Sequence, residues 1–235
     1  MEVDNVQPLD KAARIAGATY LFAILTGPFS LIYIPSVLFV RGNATATVAN
    51  IATHEALFRL GIVADALDGV IFIFVTLALY RLLRGVDHGL AVLMVILGGI
   101  IPASIFCLNA LNWGAALLIV HGAPFLAPFD HAQRDALAFL FIRIHSQGET
   151  LNQIFWGLWL LPFGTLVIRS GFIPRLLGIW LIVGGFGYLG LTFVDLALPQ
   201  YQEIAFKFAQ PALFSEVGIT LWLLIRGAKA EPSSA

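Results

Sequence analysis

The chain has 235 residues, 59% hydrophobic and only 11% charged, where a soluble domain is about half apolar and about a quarter charged. Its mean hydropathy of +0.90 points the same way, and a net charge of -1 offers no basic field to draw in nucleic acid. The single cysteine, Cys107, excludes an intramolecular disulfide and any paired-cysteine metal or redox motif.

This composition predicts an all-α fold, a polytopic membrane protein built as a bundle of six transmembrane helices, each meeting the ~20-residue requirement for crossing a bilayer. Residues 1–12 are polar, contain Pro8 and read as a short cytoplasmic tail. Span one covers about 14–40. It is too long, and its leader too mixed in charge, for a secretory signal. Pro28 and Pro35 are expected to kink it or break its outer end. Residues 41–53 are small and polar and read as a connection; the Asn43-Ala44-Thr45 match to a glycosylation pattern is too common to carry weight. Span two, about 55–84, opens with Glu55 and Arg59 at the spacing of a helical ion pair. A polar turn at 85–89 leads to span three, about 90–120, with Asn109 and Asn112 one turn apart.

After a loop containing Pro124 and Pro128, Asp130 and Gln133 stand at capping-box positions. Span four follows at about 131–169, much longer than a bilayer requires. Residues 131–147 are therefore expected to form an outer extension or a separate interfacial helix, with Gly148 as the joint. Span five, about 174–196, carries Gly178, Gly184, Gly185, Gly187 and Gly190, a composition suited to close helix packing. Span six covers about 204–226, with Pro211 as a later starting point, and 228–235 reads as a disordered cytoplasmic tail. The even spans end alike, in LALYRLLRG, LWLLPFGTLVIRSG and LWLLIRG. Three related hairpins would explain this, and so would apolar helices that each stop at arginine.

Six spans put both termini on one side. Lys11, Arg14, Arg81, Arg84, Arg169, Arg175, Arg226 and Lys229, eight of the thirteen basic residues, fall on that side. The positive-inside rule makes it cytoplasmic, in a plasma (inner) membrane. The polar groups of the spans then gather in the outer half: Asp65 and Asp68, Asn109 and Asn112, and His145, Glu149 and Asn152, with Glu216 near middle depth. On a helix His145, Glu149, Asn152, Trp156 and Phe163 share one stripe. Ionisable groups facing lipid are costly, so these residues are expected to line an outward-facing polar pocket, with Trp156, Trp159 and Phe163 as its apolar floor. Asp65 has Arg59 and Arg143 as candidate ion-pair partners. For a metal site, His145, Glu149, Glu216 and one of Asp65 or Asp68 supply suitable atoms. No GxSxG, HExxH, Walker or dinucleotide motif is present.

The segments ARIAG at 13–17, EALFRLGIVAD at 55–65, LALYRLLR at 77–84, FDHAQ at 129–133, IHSQG at 144–148, RSGFIPRLLG at 169–178 and LWLLIRG at 221–227 carry a resemblance. The chain resembles the bacterial membrane-protein family catalogued as domain of unknown function 4386, from about residue 13 to 227. The resemblance implies a multi-span helical membrane protein and brings no activity, substrate or cofactor. Gln147 stands where the family pattern leads one to expect an aromatic residue.

The function expected from the residues is binding of a small amphipathic or lipid-like molecule, in contact with membrane lipid and without nucleic acid. His145, Glu149, Asn152, Asp65, Asp68, Asn109, Asn112 and Glu216 are the ligand-binding set. An intramembrane metal-dependent hydrolase, a transporter, and an accessory subunit of a membrane complex using the glycine-rich span five as a docking face are the alternatives; a homo-oligomer or a membrane-complex partner is left open. Catalysis, metal and cofactor are left open by the sequence.

Overall fold

The computed structural model describes residues 9–228; residues 1–8 of the expected tail at 1–12, and 229–235 of that expected at 228–235, lie outside them. Among the described residues there are helices and turns and no strand. Six helical segments are long and apolar enough to cross a membrane: Leu9–Leu38, Glu55–Leu83, His88–Val120, His131–Ser170, Arg175–Ala197 and Pro199–Ile225. Large apolar side chains such as Phe22, Leu108, Leu111 and Phe208 stand exposed along them, as helices solvated by lipid require. The chain is a multi-pass membrane protein.

The first span is α1 (Leu9–Pro28), a π turn (Phe29–Tyr33) and α2 (Ile34–Leu38). It begins ahead of the expected boundary, taking in residues read as tail. Pro28 and Pro35 do not break it. The backbone widens into the π turn, with the Ile34 N–H donating to the Phe29 carbonyl, and the helix stops only at Leu38, before extended Phe39.

Residues read as a connection are instead α3 (Ala44–Thr53). Asn43, the apparent glycosylation residue, is its N-cap: the side-chain oxygen accepts from the Ala46 N–H at 2.9 Å. The helix is retained because Thr47 and Ile51 are buried, and Asn50 Nδ2 donates to the Leu38 carbonyl at 3.2 Å. Asn43→Ala removes an N-cap interaction worth about 1 kcal/mol. A small fall in the thermal midpoint, with unchanged helix content elsewhere, is the expected outcome; no change would show that α3 is held by burial alone.

α4 (Glu55–Leu83) opens with the expected ion pair, Arg59 Nε to Glu55 Oε1 at 2.6 Å. Span three is α5 (His88–Val95), a π turn (Ile96–Ile100) and α6 (Ile101–Val120). α7 (His131–Ser170) has the predicted capping box: Gln133 N–H donates to Asp130 Oδ1 at 2.8 Å, and Asp130 N–H to Gln133 Oε1 at 3.0 Å. It continues unbroken through Gly148, so neither a joint nor a separate interfacial helix forms there. Gly148 is small because Asn109 presses on it: a Cβ added there would lie 2.7 Å from Asn109 Cγ. α8 (Arg175–Ala197) is followed by α9 (Gln202–Leu213) and α10 (Ser215–Ile225), so the sixth span is two helices rather than one. The division falls at Phe214, just past Pro211, which lies inside α9; Trp180 Nε1 on α8 donates to the Pro211 carbonyl at 2.8 Å.

The described residues divide into two compact units: 9–24, Ile71–Pro102 and 152–228 form the first, and Leu25–Val70 and Ala103–Leu151 the second. In the first, Tyr20, Leu79, Met94, Trp159, Phe163 and Leu223 belong to one buried core. α7 and α8 meet backbone to backbone at two glycine pairs. A Cβ on Gly164 would lie 2.5 Å from the Gly178 carbonyl oxygen, and one on Gly157 would lie 2.7 Å from that of Gly185. Gly184 likewise leaves room for the Ala212 carbonyl and the Ser215 hydroxyl. Of the span-five glycines, Gly178, Gly184 and Gly185 are thus used in close packing inside the chain, while Gly190 meets nothing within 4 Å. In the second unit Ile34, Leu38, Ile51, Phe58, Trp113 and Ile142 form the core.

Candidate functional site

Six of the eight expected site residues, Asp65, Asp68, Asn109, Asn112, His145 and Glu149, belong to the second unit; Asn152 and Glu216 belong to the first. In the second unit the structure gathers three of them closely. One ligand atom from each of Asp65, His145 and Glu149 lies within 4.8 Å of the others. All three are buried, at 0%, 4% and 8% exposure. The i, i+4 spacing puts His145 and Glu149 on one face of α7, and Asp65 comes from α4. His145 Nε2 lies 3.2 Å from Asp65 Oδ2. This imidazole replaces Arg59 and Arg143 as the partner of Asp65; Arg59 is taken up by Glu55.

Asn109 Nδ2 donates to the His145 carbonyl at 2.9 Å and to Glu149 Oε1 at 2.7 Å. Asn112 Nδ2 donates to Asn109 Oδ1 at 3.1 Å, fixing which end of the Asn109 amide faces Glu149. Trp113 lies flat against His145, with ring centroids 4.0 Å apart and planes 14° from parallel. Asp68, one turn after Asp65, accepts from the Thr26 hydroxyl at 2.6 Å on Oδ1. Gly27 leaves room for its other oxygen, 2.9 Å from where a Cβ would stand. Two oxygens are unsatisfied: Asp65 Oδ1 and Glu149 Oε2 are buried with no hydrogen-bond partner. Among the described residues no lysine or arginine forms an ion pair with Asp65, Asp68 or Glu149.

His145 and Glu149 are buried rather than standing at a mouth, because Trp113 and Asn109 cover them. A cavity of about 510 Å³, lined by Leu9, Leu82, Gly85, Val86, Arg169, Ser170 and Phe172, includes none of the expected site residues. Of the residues offered for a metal set by the sequence, Asp65, His145 and Glu149 form the cluster, while Glu216 belongs to the first unit.

Glu216 sits in the first unit, its Oε1 accepting from the Tyr188 hydroxyl at 2.9 Å and its Oε2 from the Tyr20 hydroxyl. Both oxygens are satisfied, which accounts for a carboxyl group in an apolar span without a cation. Of the expected floor, Trp159 and Phe163 are core, stacked with centroids 5.3 Å apart, and Trp156 is half-buried. Asn152 is fully buried and neither end of its amide has a partner. Tyr188→Phe removes one donor from Glu216 and, at the typical worth of a hydrogen bond between membrane helices, costs about 1 kcal/mol. Tyr20→Phe is expected to cost the same, and a double variant more than the sum, since the carboxyl then has neither partner. Strict additivity in a detergent-unfolding assay would show that the two hydroxyls act independently.

Reading the sequence missed Trp113, Thr26, Tyr20 and Tyr188. Trp113 had a signal, being one turn after Asn109 on the same face of α6. The others are single polar side chains in apolar runs, visible only through partners distant in the chain.

A family model described as domain of unknown function (DUF4386) matches residues 15–227. The chain is similar to an uncharacterized protein of Archaeoglobus fulgidus, 29% identical over 160 residues, which are 68% of this chain and 79% of that one. No solved structure matches.

Proposed function

The chain belongs to the family described as domain of unknown function 4386, and on that premise we propose that it is a membrane-embedded binding protein that takes a small cationic ligand at Asp65, His145 and Glu149. The observation that carries this is the pair of buried carboxylate oxygens, Asp65 Oδ1 and Glu149 Oε2, with no partner. Unpaired polar atoms in a low-dielectric interior are costly, and buried charges persist where something of opposite charge meets them. The ligand expected from the sequence is thereby narrowed. An amphipathic molecule qualifies through an ammonium headgroup, and a metal ion qualifies outright; a neutral or anionic lipid does not. The distribution of basic residues supports cytoplasmic termini in a plasma membrane, which would bring the ligand from the opposite face.

The test is thermal unfolding of the purified protein in detergent, with divalent cations and a long-chain alkylamine as probes. A ligand at a hundred times its Kd adds about 2.7 kcal/mol, so at least one cationic probe is expected to raise the midpoint by several degrees. Asp65→Asn and Glu149→Gln should abolish that rise. If no cationic probe shifts the wild-type midpoint, the reading is wrong.

A further inference from the structure

We infer that the Asp65–His145–Glu149 cluster is a divalent transition-metal site, an assignment that rests on the cationic-ligand reading above and specifies it. The first support is distance. Zinc-class ions bind imidazole nitrogen and carboxylate oxygen at about 2.0–2.2 Å in tetrahedral geometry, which sets neighbouring ligand atoms about 3.3 Å apart. His145 Nε2 and Asp65 Oδ2 are 3.2 Å apart, and an atom from each of the three residues falls within 4.8 Å of the others.

The second support is the chemistry of the set. One imidazole and two carboxylates suit zinc, iron or manganese, while calcium and magnesium take oxygen-only sites. The third is the orienting shell. Metal ligands are held by second partners, and here Asn109 occupies Glu149 Oε1 and leaves Oε2 without a partner. Trp113 fixes the plane of the imidazole. The unpartnered oxygens belong to side chains more than nine-tenths buried, so they are not surface acids that merely cluster. Three protein ligands leave a fourth position for water or a substrate group, the count typical of reactive rather than closed zinc sites.

The experiment uses the full chain, purified in detergent with any affinity tag removed, stripped with chelator and titrated with Zn²⁺ and Co²⁺. Elemental analysis and the visible absorption of bound Co²⁺ are the readouts. The wild type is expected to bind one equivalent. Asp65→Asn, His145→Gln and Glu149→Gln are expected to weaken Zn²⁺ binding at least 100-fold, and Asn109→Ala 10- to 100-fold. Glu55→Gln, in an exposed ion pair, should bind as wild type. Circular dichroism sets aside any variant that does not fold, and the Co²⁺ spectrum of the wild type, which reports mixed nitrogen and oxygen ligation, stands without variants. Retention of the metal by all three ligand variants would overturn the assignment. So would absence of stoichiometric binding in the wild type. If the alkylamine still raises the thermal midpoint in that case, the cationic-ligand reading survives without the metal; if no cation does, both fall.

Discussion

Gly164→Val and Gly178→Val are each expected to destabilise the protein by about 3 kcal/mol or more, at or beyond the upper end of ordinary overpacking costs. At these positions the obstacle is backbone. A Cβ on Gly164 would stand 2.5 Å from the Gly178 carbonyl oxygen, and one on Gly178 would stand 2.6 Å from that of Gly164. A crowded side chain can rotate away, but a carbonyl in a helix moves only if the helix moves. Parting α7 from α8 would also loosen the second glycine contact, at Gly157 and Gly185, and the apolar core around Trp159 and Phe163. Gly190→Ala is the control on the same helix. Nothing lies within 4 Å of its added Cβ, so it should be neutral or stabilising by up to about 1 kcal/mol. Thermal midpoints and refolding yields in mixed micelles read both. Wild-type behaviour of Gly164→Val would mean that the two helices do not cross where their glycines meet.

Trp113→Ala is expected to cost about 3–5 kcal/mol, the range for truncating a buried aromatic side chain to alanine. The indole is 1% exposed and touches Phe39 and Phe58 as well as His145, at centroid distances of 5.8, 5.4 and 4.0 Å. One deletion therefore opens a void in the second unit's core and removes the surface against which the imidazole lies. Trp113→Phe keeps a ring there and should recover most of the stability. The pair separates packing from positioning: if Trp113 orients His145, Zn²⁺ affinity falls in the alanine variant and returns with phenylalanine. Equal affinities in both would limit Trp113 to packing.

Class and span number were legible in the sequence because the bilayer imposes a strong constraint. A helix crossing it must be apolar for about 20 residues, and six such runs leave little freedom. Local chemistry was legible as well. The Asp130–Gln133 capping box and the Glu55–Arg59 pair need only neighbours along the chain. Where local signals competed with packing, packing prevailed. Residues 41–53 look like a loop, yet α3 forms there because Thr47 and Ile51 have a core to enter. Gly148 looks like a hinge, yet it is small so that Asn109 can approach.

The candidate site shows the same division. Sequence alone determined which residues were unusual: carboxylates, asparagines and one histidine in spans that should be apolar, where each carries a desolvation cost and needs a reason. It also set His145 and Glu149 on one face of a helix, since that follows from 3.6 residues per turn. Which polar groups meet was decided by tertiary structure. Asp65 and His145 are 80 residues apart in the chain, and no periodicity encodes contact between two helices. Asp65 consequently joins His145 and Glu149 in a compact cluster. Glu216, of the same chemical type and equally conspicuous in the sequence, is satisfied elsewhere by two tyrosine hydroxyls. A buried carboxyl group announces itself by its cost in an apolar segment; its partner is found only when the helices pack.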